Sequence, residues 1–145
     1  MKRKIKYIKV KDGVISLLET DDFNEAIKDA FGDYYAYDSS DYIFDENLDI
    51  RVFIEAGSEF LDYKDSIYYE YEGAIVGRLK GTVLIAKNGL NKWQSLSSND
   101  IKLILKKLKP HDNNSFIIHY PRHDSHDWLY KIFEKLDTSS YWYIT

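Results

Sequence analysis

The sequence predicts a single α+β domain, with a mixed or antiparallel sheet and helices at 22–31, 98–108 and 125–137. Three observations predict it. Asp-Gly and Asn-Gly pairs sit between short apolar runs, the signature of tight hairpins. Apolar and polar residues alternate with period two through much of 33–77. Three segments instead carry apolar residues at helical spacing.

The elements follow in order. Asp12-Gly13 separates Ile5, Tyr7, Ile8 and Val10 from Val14, Ile15, Leu17 and Leu18, so 3–10 and 14–19 are expected to form a hairpin. Phe23, Ala26, Ile27, Ala30 and Phe31 occupy one helical face. Asp22 and Glu25 resemble a capping box, and Gly32 stands where that helix would stop. Shorter strands are expected at 34–37 and 41–44, on either side of a turn at Asp38-Ser39-Ser40-Asp41. Leu48, Ile50, Val52 and Ile54 alternate, as do Ile67, Tyr69 and Tyr71. Gly73, Gly77 and Gly81 read as strand bends. Thr82–Ala86 and Leu90–Trp93 frame a second hairpin turning at Asn88-Gly89. Ser97 and Asp100 open the second helix, with Ile101, Ile104, Leu105 and Leu108 inward and Pro110 as its stop. Residues 115–120 read as a strand and 141–144 as a final one. Turn formers between Lys109 and Ser115 divide a main domain, 1–109, from a β-α-β extension, 110–145, expected to pack on it.

Composition excludes several classes. With 145 residues the chain can bury a sizeable core without staples. It has no cysteine, which removes disulfide frameworks and cysteine-based metal or nucleophile sites. No apolar run reaches the ~18 residues of a membrane helix. The basic start MKRKIKYIKVK lacks the apolar core of a signal peptide, so a cytoplasmic protein is expected. No P-loop, nucleophile elbow or glycine-rich phosphate loop is present.

Charge is unevenly spread. Between 21 and 73 stand 16 acidic residues and three basic ones, Lys28, Arg51 and Lys64, a net −13 in 53 residues. The remainder carries +9, and eight of the 13 tyrosines lie in the acidic stretch. Such a surface repels nucleic acid and is attracted to the basic grooves of proteins that handle it. Tyrosine supplies interface anchors. The candidate partner-binding residues are Asp33, Tyr35, Asp38, Asp41, Asp45, Glu46, Asp49, Asp62, Asp65, Glu70 and Glu72. The plainer reading of the same block is a solvated face. Lys2, Arg3, Lys4, Lys6 and Lys9 read either as a second patch or as guards of an edge strand, the latter favoured.

All four histidines, His111, His119, His123 and His126, fall within 16 residues. His119, His123 and His126 could converge on a zinc-like ion, or serve as acid and base on a phosphate at a helix N-terminus with Arg122 assisting. Their H-x3-H-x2-H spacing matches no strong zinc signature, and loop and capping roles, the favoured reading, explain these positions more simply. Trp93, Trp128 and Trp142 read as core or rim packing.

Residues 81–108 carry Gly81-Thr82 leading a strand, the Asn88-Gly89 turn, then Ser95-Leu96-Ser97 with Asp100-Ile101 opening a helix. This pattern resembles an uncharacterised domain family of phage, plasmid and Gram-positive bacterial proteins, and the element order over 5–31 extends the resemblance to 5–108. It implies a mobile-element origin and transfers no functional residue. Together with the charge it leads to an expected function. That function is a non-enzymatic anti-defence inhibitor, of anti-CRISPR or antirestriction type, that binds a nuclease or CRISPR effector as a nucleic-acid mimic. It would need no cofactor and no direct contact with nucleic acid, and exposed tyrosines leave a homo-oligomer open. Two alternatives stand beside it: an immunity protein neutralising a nuclease toxin, and a metal- or histidine-dependent hydrolase built on 119–126.

Overall fold

The structure is a computed structural model that describes residues 4–32, 37–40, 49–55, 57, 61–89 and 92–119, with backbone alone at 37–40. Strands dominate it and form two sheets, with two helices among the described residues. This corrects the expected architecture of a single sheet, because the described strands divide between two. The expected helix at 125–137 and strand at 141–144 lie outside the described residues.

The larger sheet is antiparallel throughout. It contains β1 (Ile5–Lys11), β2 (Val14–Thr20), β3 (Tyr37–Ser40), β4 (Ile50–Glu55), β7 (Val83–Gly89) and β8 (Lys92–Gln94). Its order is β2-β1-β7-β4-β3, with β8 also on β7. The smaller sheet holds β5 (Asp65–Tyr71), β6 (Ala74–Lys80), β9 (Lys109–Pro110) and β10 (Phe116–His119), in the order β6-β5-β10-β9. There β10 runs parallel to β5 and the other pairs are antiparallel. Residues 109–119 therefore complete the smaller sheet.

Cover on both faces of the larger sheet is required by the run Val83-Leu84-Ile85-Ala86, whose four residues are all buried. Alternate residues of a strand point to opposite faces, so a continuous apolar run needs cover on both. On one face Val83 and Ile85 join Ile8, Val10, Ile50, Val52 and Ile54. These pack against Ile67, Tyr69 and Leu79 of the smaller sheet and against Ile104 of α2 (Ser98–Lys107). On the other face Leu84, Ala86, Tyr7 and Phe53 meet Phe23, Ala26, Ile27 and Phe31 of α1 (Phe23–Phe31). Phe23 is fully buried, and its ring lies 4.6 Å from that of Trp93, centroid to centroid, and 5.3 Å from that of Tyr7. Trp93 is thus a packing residue.

Local chemistry explains the boundaries. Asp12 and Gly13 adopt φ 51° and 79°, the paired left-handed conformation of a two-residue hairpin. The Asp22 side chain caps α1 by accepting from the Asn24 N–H, the Glu25 N–H donates to the Asp22 carbonyl, and the Gly32 N–H closes the helix on the Lys28 carbonyl at 2.7 Å. At α2 the Ser97–Asp100 box is reciprocal: the Asp100 N–H donates to Ser97 Oγ at 3.1 Å, and the Ser97 N–H donates to Asp100 Oδ2 at 2.8 Å.

Four local readings need correction. Residues 38–40, read as part of a turn, extend β3 opposite Ile54, Phe53 and Val52. Pairing with β4 overrides the turn preference of Asp-Ser-Ser. Gly73 is no strand bend: Glu72 (φ 51°) and Gly73 (φ 84°) form a hairpin turn that launches β6. Asn88 and Gly89 do not reverse the chain but pair with Trp93 and Lys92. The reason is competition, because β1 occupies the same edge of β7 opposite Val83–Ile85. A return strand finds free partners only further along. Finally, the lysines of β1 guard no edge, since β1 lies between β2 and β7.

Candidate functional site

The structure scatters the acidic stretch and brings part of it onto the histidines. Asp33, Tyr35, Asp41, Asp45 and Glu46 lie outside the described residues, as do His123 and His126. Asp38 is placed on β3 by its backbone. Asp49 is exposed in a left-handed conformation (φ 55°) just before β4. Asp62 is exposed before β5, and Glu72 is exposed at the β5–β6 turn. Along α1, Glu25 and Asp29 are exposed one turn apart, next to the exposed Asp21 and Asp22 at its start. Asp21 reaches Lys4 at only 3.9 Å, with both side chains well solvated.

Asp65 and Glu70 behave differently. Both sit on β5 and are engaged within the fold. Asp65 Oδ2 accepts from the Tyr68 hydroxyl at 2.9 Å and lies 3.5 Å from the Arg78 guanidinium. Burial raises the Tyr68 phenol above its ordinary value of 10.0, and the bond to Asp65 adds to the shift. The His111 ring packs on that of Tyr68 at 4.8 Å between centroids.

Glu70 Oε1 lies 3.0 Å from His119 Nδ1. The contact follows from register: β10 runs parallel to β5 with His119 opposite Glu70. Ile118 and Tyr69 point into the core, so the next residue on each strand projects from the opposite face. The sequence places these two residues 49 positions apart, and no local pattern links them. Period-two alternation locates Glu70 on the outer face, but only the crossover that makes β10 parallel to β5 pairs it with a histidine.

A carboxylate beside an imidazole orients the ring. With its hydrogen on Nδ1, His119 donates to Glu70 and presents Nε2 as an acceptor. That is the arrangement of a general base, on a side chain half exposed. Among the described residues, no group of three or more His, Cys, Asp or Glu side chains is placed to hold a metal ion. Also among them, no helix is long and apolar enough to cross a membrane.

The 111–115 turn that carries His111 is held internally. The Asn114 N–H donates to Asp112 Oδ1 at 2.8 Å, and this bond leads the interactions that hold the Asp112 carboxyl below its ordinary range. The Asn113 carbonyl abuts Gly13, so the first hairpin rests on this turn with no room for a side chain.

Comparisons of the chain with protein-family models, curated proteins and solved structures find no match.

Proposed function

We propose that this protein is a non-enzymatic inhibitor of mobile-element origin that occupies the basic groove of a nucleic-acid-handling protein, such as a CRISPR effector or restriction nuclease. The observation that carries this reading is the charge asymmetry, −13 over 21–73 against +9 elsewhere. Glu25, Asp29, Asp49 and Asp62 are exposed and available to such a partner, whereas Asp65 and Glu70 serve the fold. Geometry sets the demand. Glu25 and Asp29 repeat about every 6 Å of helix axis. One DNA strand presents a charge about every 3.4 Å. The helix alone has about half the needed density, so carboxylates of the 33–49 stretch would have to contribute.

The test is capture of host proteins on the purified chain at low salt and at ~1 M, where screening falls to about 3 Å. A nucleic-acid enzyme held at low salt and released at high salt supports the reading, and its identity separates anti-defence from toxin immunity. No specific protein at either salt contradicts it.

The Glu70–His119 pair favours a second reading, a histidine-dependent hydrolase. That reading requires His119→Ala to abolish an activity that charge reversal at Glu25 and Asp29 leaves intact. The inhibitor reading requires the opposite for partner binding.

A further inference from the structure

The end of α1, the β1–β2 turn, the loop before β5 and the start of β7 enclose a cleft of about 460 Å³. That volume falls within the range of small-molecule sites. Charge in the cleft is graded by depth. Lys11, Lys64, Asp12 and Asp62 line it from exposed positions. Glu55, at the end of β4, is the one charged lining residue among those described that is not exposed.

The Glu55 carboxylate is held but not satisfied. The Tyr63 phenol is raised above its ordinary 10.0, first by hydrogen bonding with Glu55 and then by burial. Glu55 Oε2 is shut off from water and has no hydrogen-bond partner. A buried acceptor left unmet is costly, and a carboxylate oxygen more so than a neutral one. Glu55 lines the cleft, and the terminal torsion of a glutamate is soft, so its carboxylate can rotate to meet a ligand there.

The wall around it is built. Gly81 has φ +76°, and a Cβ there would stand 2.8 Å from the Tyr63 ring. Glycine therefore lets the backbone approach that ring. The Gly81 N–H donates to the Lys64 carbonyl at 2.9 Å, and Ser66 Oγ donates to the Gly81 carbonyl. Phe31 also lines the cleft and gives it an apolar side that suits an alkyl stem.

We propose that this cleft binds an organic cation, an ammonium or guanidinium group on an alkyl stem, with Glu55 as its counter-ion and Tyr63 positioning that carboxylate. The cation comes either from a free small molecule or from a lysine or arginine side chain of a bound protein. The site is independent of the acidic surface on α1, and either can fail alone.

The experiment is an amide-resolved NMR titration of the full chain with three probes. Agmatine stands for a free cation, N-acetyl-arginine amide for a protein side chain, and N-acetyl-citrulline amide for the neutral isostere. Saturable shifts at Phe31, Glu55, Tyr63 and Gly81 are expected with a cation and not with citrulline. Binding by agmatine alone assigns a free ligand; binding by the arginine amide alone assigns a protein side chain. Binding by both establishes the cation site for either source. Glu55→Gln should weaken binding roughly tenfold, the loss of a charge-assisted bond. Tyr63→Phe should weaken it by about threefold, and Tyr63 is exposed enough to change without unfolding the chain. No saturable shift up to about 10 mM of either cation, well beyond the range of useful affinity, overturns the proposal. Equal binding of citrulline overturns it too. So does unchanged affinity in a folded Glu55→Gln or, should that variant not fold, in Tyr63→Phe.

Discussion

Replacing Asp100 by alanine should be among the most damaging changes of a polar residue in this protein, and the structure gives the size of the effect. Asp100 is 5% exposed although it is charged. Its carboxylate accepts from the Ser97 N–H at 2.8 Å and from Lys87 Nζ at 3.2 Å. The first bond closes the cap of α2 and, as a hydrogen bond to a charged group, contributes about 1.5 kcal/mol. The second ties α2 to β7. Breaking a fully buried pair costs about 3–5 kcal/mol, but Lys87 keeps a quarter of its side chain in water and can swing out, which reduces this to about 1 kcal/mol. The sum, about 2.5 kcal/mol, corresponds to a fall in Tm of roughly 5–10 °C for a domain near this size. Burial pushes the Asp100 carboxyl upward, but the Ser97 and Lys87 interactions outweigh it and hold it below its ordinary 3.8. A carboxyl lowered on folding stabilises above its unfolded value and loses that contribution as pH falls through the folded one. The gap between parent and Asp100→Ala should therefore be widest at neutral pH and close in acid. Urea denaturation followed by circular dichroism across pH measures it. A cost below about 0.5 kcal/mol at neutral pH, the ordinary scatter of surface changes, would refute the reasoning, as would a cost unchanged in acid.

Three further outcomes follow from the packing. Gly13→Ala and Gly73→Ala change equivalent positions of two hairpin turns, both at positive φ. Only at Gly13 does the new Cβ strike backbone, the Asn113 carbonyl, so thermal melts should show Gly13→Ala costlier by about 1–2 kcal/mol, and equal costs would contradict this. Phe23→Ala removes the ring at the centre of the Tyr7, Phe53 and Trp93 cluster and should cost about 3–5 kcal/mol in urea denaturation, with a red-shifted Trp93 emission. Burial, followed by Asp29, raises the Tyr7 phenol above 10.0, so its contribution is complete below that pH and declines as pH rises through the folded value. Tyr7→Phe should therefore lose less stability than the parent in melts taken above pH 10.

The parts of the fold that rest on local chemistry were legible in the sequence. The Asp12-Gly13 turn, the amphipathic stripe of 23–31 and the Ser97–Asp100 box each depend on residues a few positions apart. What was not legible depends on competition and on long crossovers. Asn88-Gly89 has the chemistry of a turn, yet β1 already holds the β7 edge at that point. The apolar run 83–86 signals burial on both faces, but nothing local says that a second sheet supplies one of the covers. The candidate sites divide in the same way. Composition reveals the acidic stretch, while the Glu70–His119 pair arises from a parallel register between strands 49 positions apart. The Glu55 cleft left no sequence signal, because its lining among the described residues comes from five separate segments.

The most direct test of the acidic-surface account takes any nucleic-acid enzyme that the capture experiment identifies and measures its affinity for the parent and for Glu25→Lys/Asp29→Lys/Asp49→Lys over a range of salt. These positions are exposed, so the variant should fold. The account predicts an affinity that falls steeply with salt, drops at least about tenfold on charge reversal and is competed by duplex DNA. An affinity indifferent to salt, to reversal and to DNA would contradict it.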